Sequence, residues 1–141
     1  IKYIELISQI ASDSAGMGTR INIDKYIQTT ETAIERFTEC KNNKVILNLN
    51  PAVPQVDMQT TVFVETIISD FQELKRNIHN QIKEIKKYIP YYQLVMDPIY
   101  KDGVLILSIK VRGSGDFLPS YAGNLDIINC AAIQITKIYE E

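Results

Sequence analysis

The sequence predicts an α+β domain, a mixed, mainly antiparallel sheet with its helices collected on one face. Two observations point there. Strand-like and helix-like stretches follow one another in the coarse order β-α-β-β-α-β-β-α, and the last two strands are joined by Asp102-Gly103, a hairpin signal. The chain of 141 residues fits one ordinary domain. It is long enough to bury roughly two-thirds of the surface its unfolded form exposes. No internal sequence repeat is visible, although the order of elements has a two-part rhythm that would also suit a small-molecule regulatory module.

Residues 2–10 are rich in isoleucine and tyrosine and read as a strand whose apolar pattern does not alternate cleanly enough to assign its faces. Ser12-Asp13-Ser14-Ala15-Gly16-Met17-Gly18-Thr19-Arg20 follows as a polar, two-glycine turn into a helix. From Ile23 the spacing is helical: Ile23, Ile27, Ile34 and Phe37 share a stripe, with Tyr26, Thr30 and Ala33 beside it. Asn22 and Asp24 stand where a cap or a first-turn acid would help. The helix ends before Lys41-Asn42-Asn43-Lys44. Val45-Ile46-Leu47-Asn48-Leu49 reads as a short buried strand, and Asn50-Pro51-Ala52-Val53-Pro54 cannot continue a central ladder because each proline lacks the backbone donor.

Thr61-Val62-Phe63-Val64-Glu65-Thr66 is a further β-favouring run. The next helix is capped by Ser69 with Gln72 in a capping-box position, carries Phe71, Leu74, Ile78, Ile82, Ile85 and Ile89 on one stripe, and is stopped by Pro90. Residues 91–99 read as a strand weakened near Asp97-Pro98, and residues 104–112 as its hairpin partner. There Leu105, Leu107, Ile109 and Val111 line one face while Ser108, Lys110 and Arg112 turn the other polar. Gly113-Ser114-Gly115-Asp116-Phe117-Leu118-Pro119 interrupts the sheet. From about Gly123 a last helix presents Leu125, Ile128, Ala132 and Ile135, with Ile127, Ala131 and Ile138 as a second apolar edge, a surface broad enough for more than one neighbour.

Composition excludes several classes. Fifteen basic and 17 acidic residues with interspersed signs provide no basic patch for nucleic acid. No apolar run approaches the roughly 18–20 residues that cross a bilayer, so the chain reads as soluble and cytoplasmic, with no membrane partner. Two cysteines make neither a disulfide framework nor a metal set. The chain opens on Ile1 inside a structural segment, which reads as a piece of something longer.

The candidate chemistry lies in the turns. Gly16 and Gly18 permit unusual backbone angles or close approach, amides before a helix can hold an anion or a carbonyl oxygen, and Arg20 could add a charge-assisted bond. This is neither a dinucleotide fingerprint nor a phosphate loop. Asn22 is either a helix cap or an amide that orients a carbonyl; Asn124, after Pro119-Ser120-Tyr121-Ala122-Gly123, has the same two readings. Cys40 and Cys130 read as small packed side chains and not as nucleophiles, His79 as a polar surface histidine, and Asp57 as a lone acid without a carboxylate partner.

Three separated tracts resemble the acylating acetaldehyde dehydrogenase family. They are Ser14-Ala15-Gly16-Met17-Gly18-Thr19-Arg20-Ile21-Asn22-Ile23-Asp24, Asn50-Pro51-Ala52-Val53-Pro54 and Leu118-Pro119-Ser120-Tyr121-Ala122-Gly123-Asn124-Leu125-Asp126-Ile127. The likeness covers nearly the whole chain and implies the substrate and dimerisation domain of a longer dehydrogenase, with the C-terminal fold of glyceraldehyde-3-phosphate-dehydrogenase-like enzymes. Family members convert an aldehyde, NAD and coenzyme A into acyl-coenzyme A and NADH through a cysteine nucleophile, in the breakdown of aromatic compounds. The resemblance implies that Asn22 orients or polarises the reacting group and that Asn124 contacts the nicotinamide. Ser14, Ala15, Gly16, Met17, Gly18, Thr19 and Arg20 would complete the cofactor contacts. The family cysteine and the amino-terminal dinucleotide-binding fold have no match in these residues.

Two departures from the family are visible. Thr60 stands where an acid is expected, and the loop before Val104 is shorter. The resemblance also implies self-association and a 4-hydroxy-2-oxoacid aldolase as partner. Two further functions stay open beside the enzyme: a noncatalytic dimerisation or binding domain on the same scaffold, and a small-molecule regulatory module.

Overall fold

The computed structural model describes residues 1–140. Its strands are β1 (Tyr3–Ala11), β2 (Asn43–Asn50), β3 (Met58–Glu65), β4 (Tyr92–Leu94), β5 (Ile99–Lys101) and β6 (Val104–Val111), and its helices α1 (Met17–Ile21), α2 (Ile23–Thr38), α3 (Phe71–Lys86) and α4 (Gly123–Glu140). The six strands make one sheet in the order β2-β1-β3-β6-β4, with β5 also on β6. Only β1 and β2 are parallel; β3 is antiparallel to both β1 and β6. A parallel neighbour needs a crossover, and α1 with α2 supplies it.

Strand pairing sorts the side chains into two faces. Ile4, Leu6 and Ser8 of β1 align with Val64, Val62 and Thr60 of β3, and those with Leu105, Leu107 and Ile109 of β6, where Met58 of β3 also aligns with Val111. Ile4, Ser8, Ile10, Val45 and Val111, the most buried strand residues apart from Ala11 and Ser108, all belong to this face. The helices cover it: Phe71 of α3 stacks obliquely on Tyr100 of β5 with ring centroids 5.8 Å apart, and α2 packs along β2. The expected α+β fold with helices on one face is therefore present.

Local differences have physical causes. The two-glycine turn contains a 3₁₀ turn at Ser12–Ser14 and the short α1. The strand expected to be buried, β2, is an edge strand; its apolar side is covered by α2, and Glu31 of that helix accepts a hydrogen bond from the Val45 N–H at 3.1 Å. The capping residue of α3 is Asp70, whose carboxylate accepts from the Glu73 N–H at 2.8 Å, and not the adjacent Ser69. That helix ends four residues before Pro90. The strand over 91–99 divides at Asp97-Pro98 into β4 and β5, both paired to β6. Asp102 and Gly103 close the hairpin with φ of 51° and 79°, the paired left-handed geometry that the Asp-Gly signal predicts.

Asp97, in the break between β4 and β5, fastens α3 to the sheet. Its carboxylate takes Lys75 Nζ at 2.6 Å and His79 Nε2 at 3.1 Å. Chiefly the hydrogen bond from Lys75, helped by its charge and by His79, holds the exposed Asp97 carboxyl below the usual carboxylate value. A lowered folded-state value means that the stabilisation is complete above the ordinary value of 3.8 and disappears as pH falls through the folded one. Asp97→Asn is thus expected to lower the melting temperature at pH 7 and to leave it unchanged under strongly acidic conditions, as thermal denaturation followed by circular dichroism would record. An equal loss at both pH values would show that Asp97 acts by packing alone.

Candidate functional site

Because β3 opposes β1 and β6, the exits of β1 and β6 and the entry of β3 lie at the same end of the sheet. The exit of β2, parallel to β1, lies there too. Residues 12–22, 50–57 and 112–124 therefore gather at one rim, although they are far apart in sequence.

The first tract is held by its own side chains. Ala15 is buried, and Arg20 reaches back so that Nε donates to the Ala15 carbonyl at 2.9 Å and Nη2 to the Ser12 carbonyl and hydroxyl at 2.8 and 2.9 Å. Ser14 donates to the Ala11 carbonyl at 2.8 Å. Arg20 is thus a clamp on the loop, with its Nη1 edge left over for any ligand. Of the unusual angles or close approach that Gly16 and Gly18 permit, the first is not used: Gly16 precedes α1 at φ −68° and Gly18 lies inside it. A Cβ at either would meet nothing within 4 Å, so the space over both is open. Met17 and Thr19 are exposed beside them.

Asn22 is not a side-chain cap. It ends α1 and precedes α2 at φ −111°, ψ 21°, and its Nδ2 donates to the Gly18 carbonyl at 2.8 Å. One amide hydrogen and Oδ1 remain free on an exposed side chain. With Gly18, Thr19, Lys25, Tyr26 and Thr29 it lines an open groove.

The last tract is packed more tightly. Gly113 N–H donates to the Ser120 carbonyl at 2.7 Å, and Asp126, in the first turn of α4, accepts the Ser114 N–H at 2.7 Å. A Cβ on Gly123 would lie 2.4 Å from the Val111 carbonyl oxygen. The Ala122 carbonyl accepts the first bonds of α4 from Leu125 and Asp126, so Asn124 is one residue inside the helix and does not cap it. Its Oδ1 is buried without a partner, a cost of about 1–3 kcal/mol unless a donor arrives. Asn22 and Asn124 come to the same rim but share no hydrogen bond.

Between these tracts lies a polar cleft that the sequence reading did not assemble. Gln9, Gln59, Asp57, Lys110, Arg112 and Tyr121 line it, with Asp57 Oδ2 3.6 Å from Lys110 Nζ. The alternation that put Lys110 and Arg112 on the polar side of their strand was the available signal. Thr60 faces away from the cleft, toward the helices, sharing a 2.7 Å hydrogen bond with the buried Ser8. Cys40 is buried and Cys130 half-buried, both free thiols, and His79 pairs with Asp97 far from this rim. Among the described residues no cluster of His, Cys, Asp and Glu could hold a metal ion, and no helix is long and apolar enough to cross a membrane.

Comparison with known proteins gives the chain's relatives. The family described as "Prokaryotic acetaldehyde dehydrogenase, dimerisation" matches residues 1–119. The chain is 48% identical over 137 residues to an acetaldehyde dehydrogenase of Burkholderia thailandensis, covering 97% of the chain and 46% of the relative. It is 49% identical over 139 residues to that of Spirochaeta aurantia, covering 99% and 47%. Against acetaldehyde dehydrogenase 2/3 of Azoarcus sp. the identity is 40% over 142 residues, covering 100% and 46%. The chain spans about half the length of the curated relatives it matches.

The glycines separate packing from access. Gly123→Ala must push β6 and α4 apart and is expected to lose about 1–3 kcal/mol. Gly18→Ala, in a helix with open space around it, is expected to leave stability unchanged or raise it by up to about 1 kcal/mol. Urea denaturation of both variants measures the contrast; comparable destabilisation by the two would show that the open space over Gly18 is filled by the protein itself.

Proposed function

The chain belongs to the prokaryotic acetaldehyde dehydrogenase dimerisation family, and from that premise we propose that it forms the substrate-side and subunit-contact part of an acylating aldehyde dehydrogenase. The parent reaction would turn a short aldehyde, NAD and coenzyme A into acyl-coenzyme A and NADH. The observation that supports this reading best is the convergence of the three family-like tracts at one rim of the sheet. The dinucleotide fold and the nucleophilic cysteine belong, in this reading, to the part of the parent protein outside these 141 residues.

When bound, NAD would accept the hydride and coenzyme A the acyl group. The residues present fit a contacting role. Asn22 offers a free amide hydrogen to an aldehyde oxygen, and its bond to the Gly18 carbonyl fixes the orientation of that hydrogen. Asn124 holds a buried oxygen that lacks a donor, which suits an amide-bearing ligand such as nicotinamide. Gly16, Met17, Gly18 and Thr19 form an exposed backbone that a flat ligand can approach, while Ser14, Ala15 and Arg20 brace it from within. Neither thiol here is placed to attack: Cys40 is buried, with its Sγ donating to the Asn42 carbonyl at 3.3 Å.

The same reading includes self-association, a cytoplasmic setting and receipt of the aldehyde from a 4-hydroxy-2-oxoacid aldolase. The noncatalytic alternative has one specific observation in its favour. Thr60, in place of the family acid, has its hydroxyl engaged by Ser8 and carries no charge.

Expression of the intact coding sequence, followed by measurement of aldehyde- and coenzyme-A-dependent NADH formation, decides between the two. Activity is expected, with Asn22→Ala lowering kcat by about 100-fold if its amide polarises the reacting carbonyl and Asn124→Ala raising KM for NAD. An intact, folded protein without such activity leaves the noncatalytic scaffold as the function.

A further inference from the structure

We infer that the polar cleft beside Lys110 is a second binding site, which takes a small carboxylic acid bearing a hydroxyl group and holds its carboxylate on Arg112. The inference goes beyond the proposed function and does not depend on it, since the cleft shares no lining residue with the groove around Asn22. Strand register builds the floor. Gln9 of β1, Gln59 of β3 and Lys110 of β6 stand side by side in one row, on the sheet face opposite the helices. Arg112 follows Lys110 on the same side of the chain. Pro54 and Val56, before β3, and the Tyr121 ring, before α4, add apolar surface to the walls. The enclosed volume of about 690 Å³ falls within the roughly 300–1,000 Å³ of small-molecule sites.

The charges decide what the cleft accepts. Lys110 and Asp57 form a loose pair, Nζ to Oδ2 at 3.6 Å. The ion pairs among the described residues do not include Arg112, which is exposed and open to a ligand arriving from solvent. One positive charge is therefore left over in the cleft. A monocarboxylate neutralises it, and the planar guanidinium fork matches the two carboxylate oxygens. A phosphate dianion would bring a surplus negative charge next to Asp57, where like charges repel.

The amides decide what accompanies the carboxylate. Gln59 Nε2 donates to Ser108 Oγ at 3.2 Å, and Gln55 Nε2 to Asp13 Oδ2 at 2.7 Å. Each bond orients its amide and leaves Oε1 to accept. Two such oxygens call for a donor on the ligand, which a hydroxyl supplies and a simple fatty acid lacks. Because both side chains are held before a ligand arrives, little ordering remains to oppose binding.

Equilibrium titration of the full-length protein, read by saturation-transfer NMR, with lactate, acetate, propane-1,2-diol and inorganic phosphate as probes tests the assignment. Lactate is expected to bind most tightly. Acetate, without the hydroxyl, is expected to bind several-fold more weakly, and propane-1,2-diol, without the charge, not measurably. Arg112→Gln, a change at an exposed position, is expected to weaken lactate binding by at least about 10-fold, the effect of losing a charge-assisted hydrogen bond. Lys25→Gln, in the groove around Asn22, is expected to leave it unchanged. Asp57→Asn is expected to raise phosphate affinity relative to lactate. Failure of lactate to bind, lactate binding that survives Arg112→Gln, or tighter binding of phosphate than of lactate by the unmodified protein overturns the inference and leaves the enzymatic reading intact. A protein that binds lactate through Arg112 but forms no NADH would remove the catalytic reading and leave this site standing.

Discussion

Everything at the candidate site depends on β3 running antiparallel to both of its neighbours. The register Ile7 to Thr61 on one side and Thr61 to Ser108 on the other locks three strands into a single frame. Sliding β3 by one residue would send Val62 and Val64 to the open face and Phe63 under the helices. Two hydroxyl pairs tie β3 to its neighbours in this register: Ser8 with Thr60 on the helix-facing side, and Thr61 with Ser108 on the other. The same frame decides which loops meet, because the ends of these strands come together at one rim, where Gln55 Nε2 donates to Asp13 Oδ2 at 2.7 Å and ties two of the loops.

From that frame the two ends of the site are braced by different means. The loop after β1 is held by polar contacts, with Arg20 threading back to Ser12 and Ala15. The segment after β6 is held by absence of a side chain, since Gly123 lies against the Val111 carbonyl, and by the Asp126 carboxylate on the Ser114 N–H. The first device leaves an exposed, solvated surface around Asn22. The second leaves Asn124 partly enclosed with an unpaired oxygen. The backbone above Gly16 and Gly18 is open at the same rim, so the two devices leave surfaces of different character side by side.

Much of this was legible in the amino-acid order. The α3 stripe, the Asp102-Gly103 turn and the break at Asp97-Pro98 are local signals, and local physics decided them. The α3 cap fell one residue away because Ser69 and Asp70 are both good caps, and only the position of the Glu73 amide chooses between them. Asn22 misled for a related reason: a single residue joins two helices there, so its backbone leaves the extended conformation a capping side chain needs. The edge position of β2 could not be read, since an apolar strand beneath a crossover helix has the composition of a central one. Likewise the clamp by Arg20 arises from contacts within one irregular turn, and the cleft beside Lys110 from contacts between segments that no periodicity links.

Thr60 shows how a departure from the family pattern can be weighed by place. It lies two residues inside β3, on the helix-facing side, with its hydroxyl 2.7 Å from that of a serine only 4% exposed. A carboxylate at that position would be partly desolvated, which raises its proton affinity, with a hydrogen bond from Ser8 offsetting part of that cost. A threonine forms the same hydrogen bond with no charge to solvate, so the sheet does not suffer from the exchange. The charge that an acid would bring beneath the rim is thereby absent, while the polar groups of the cleft, Asp57 and Lys110, lie on the opposite face of the sheet.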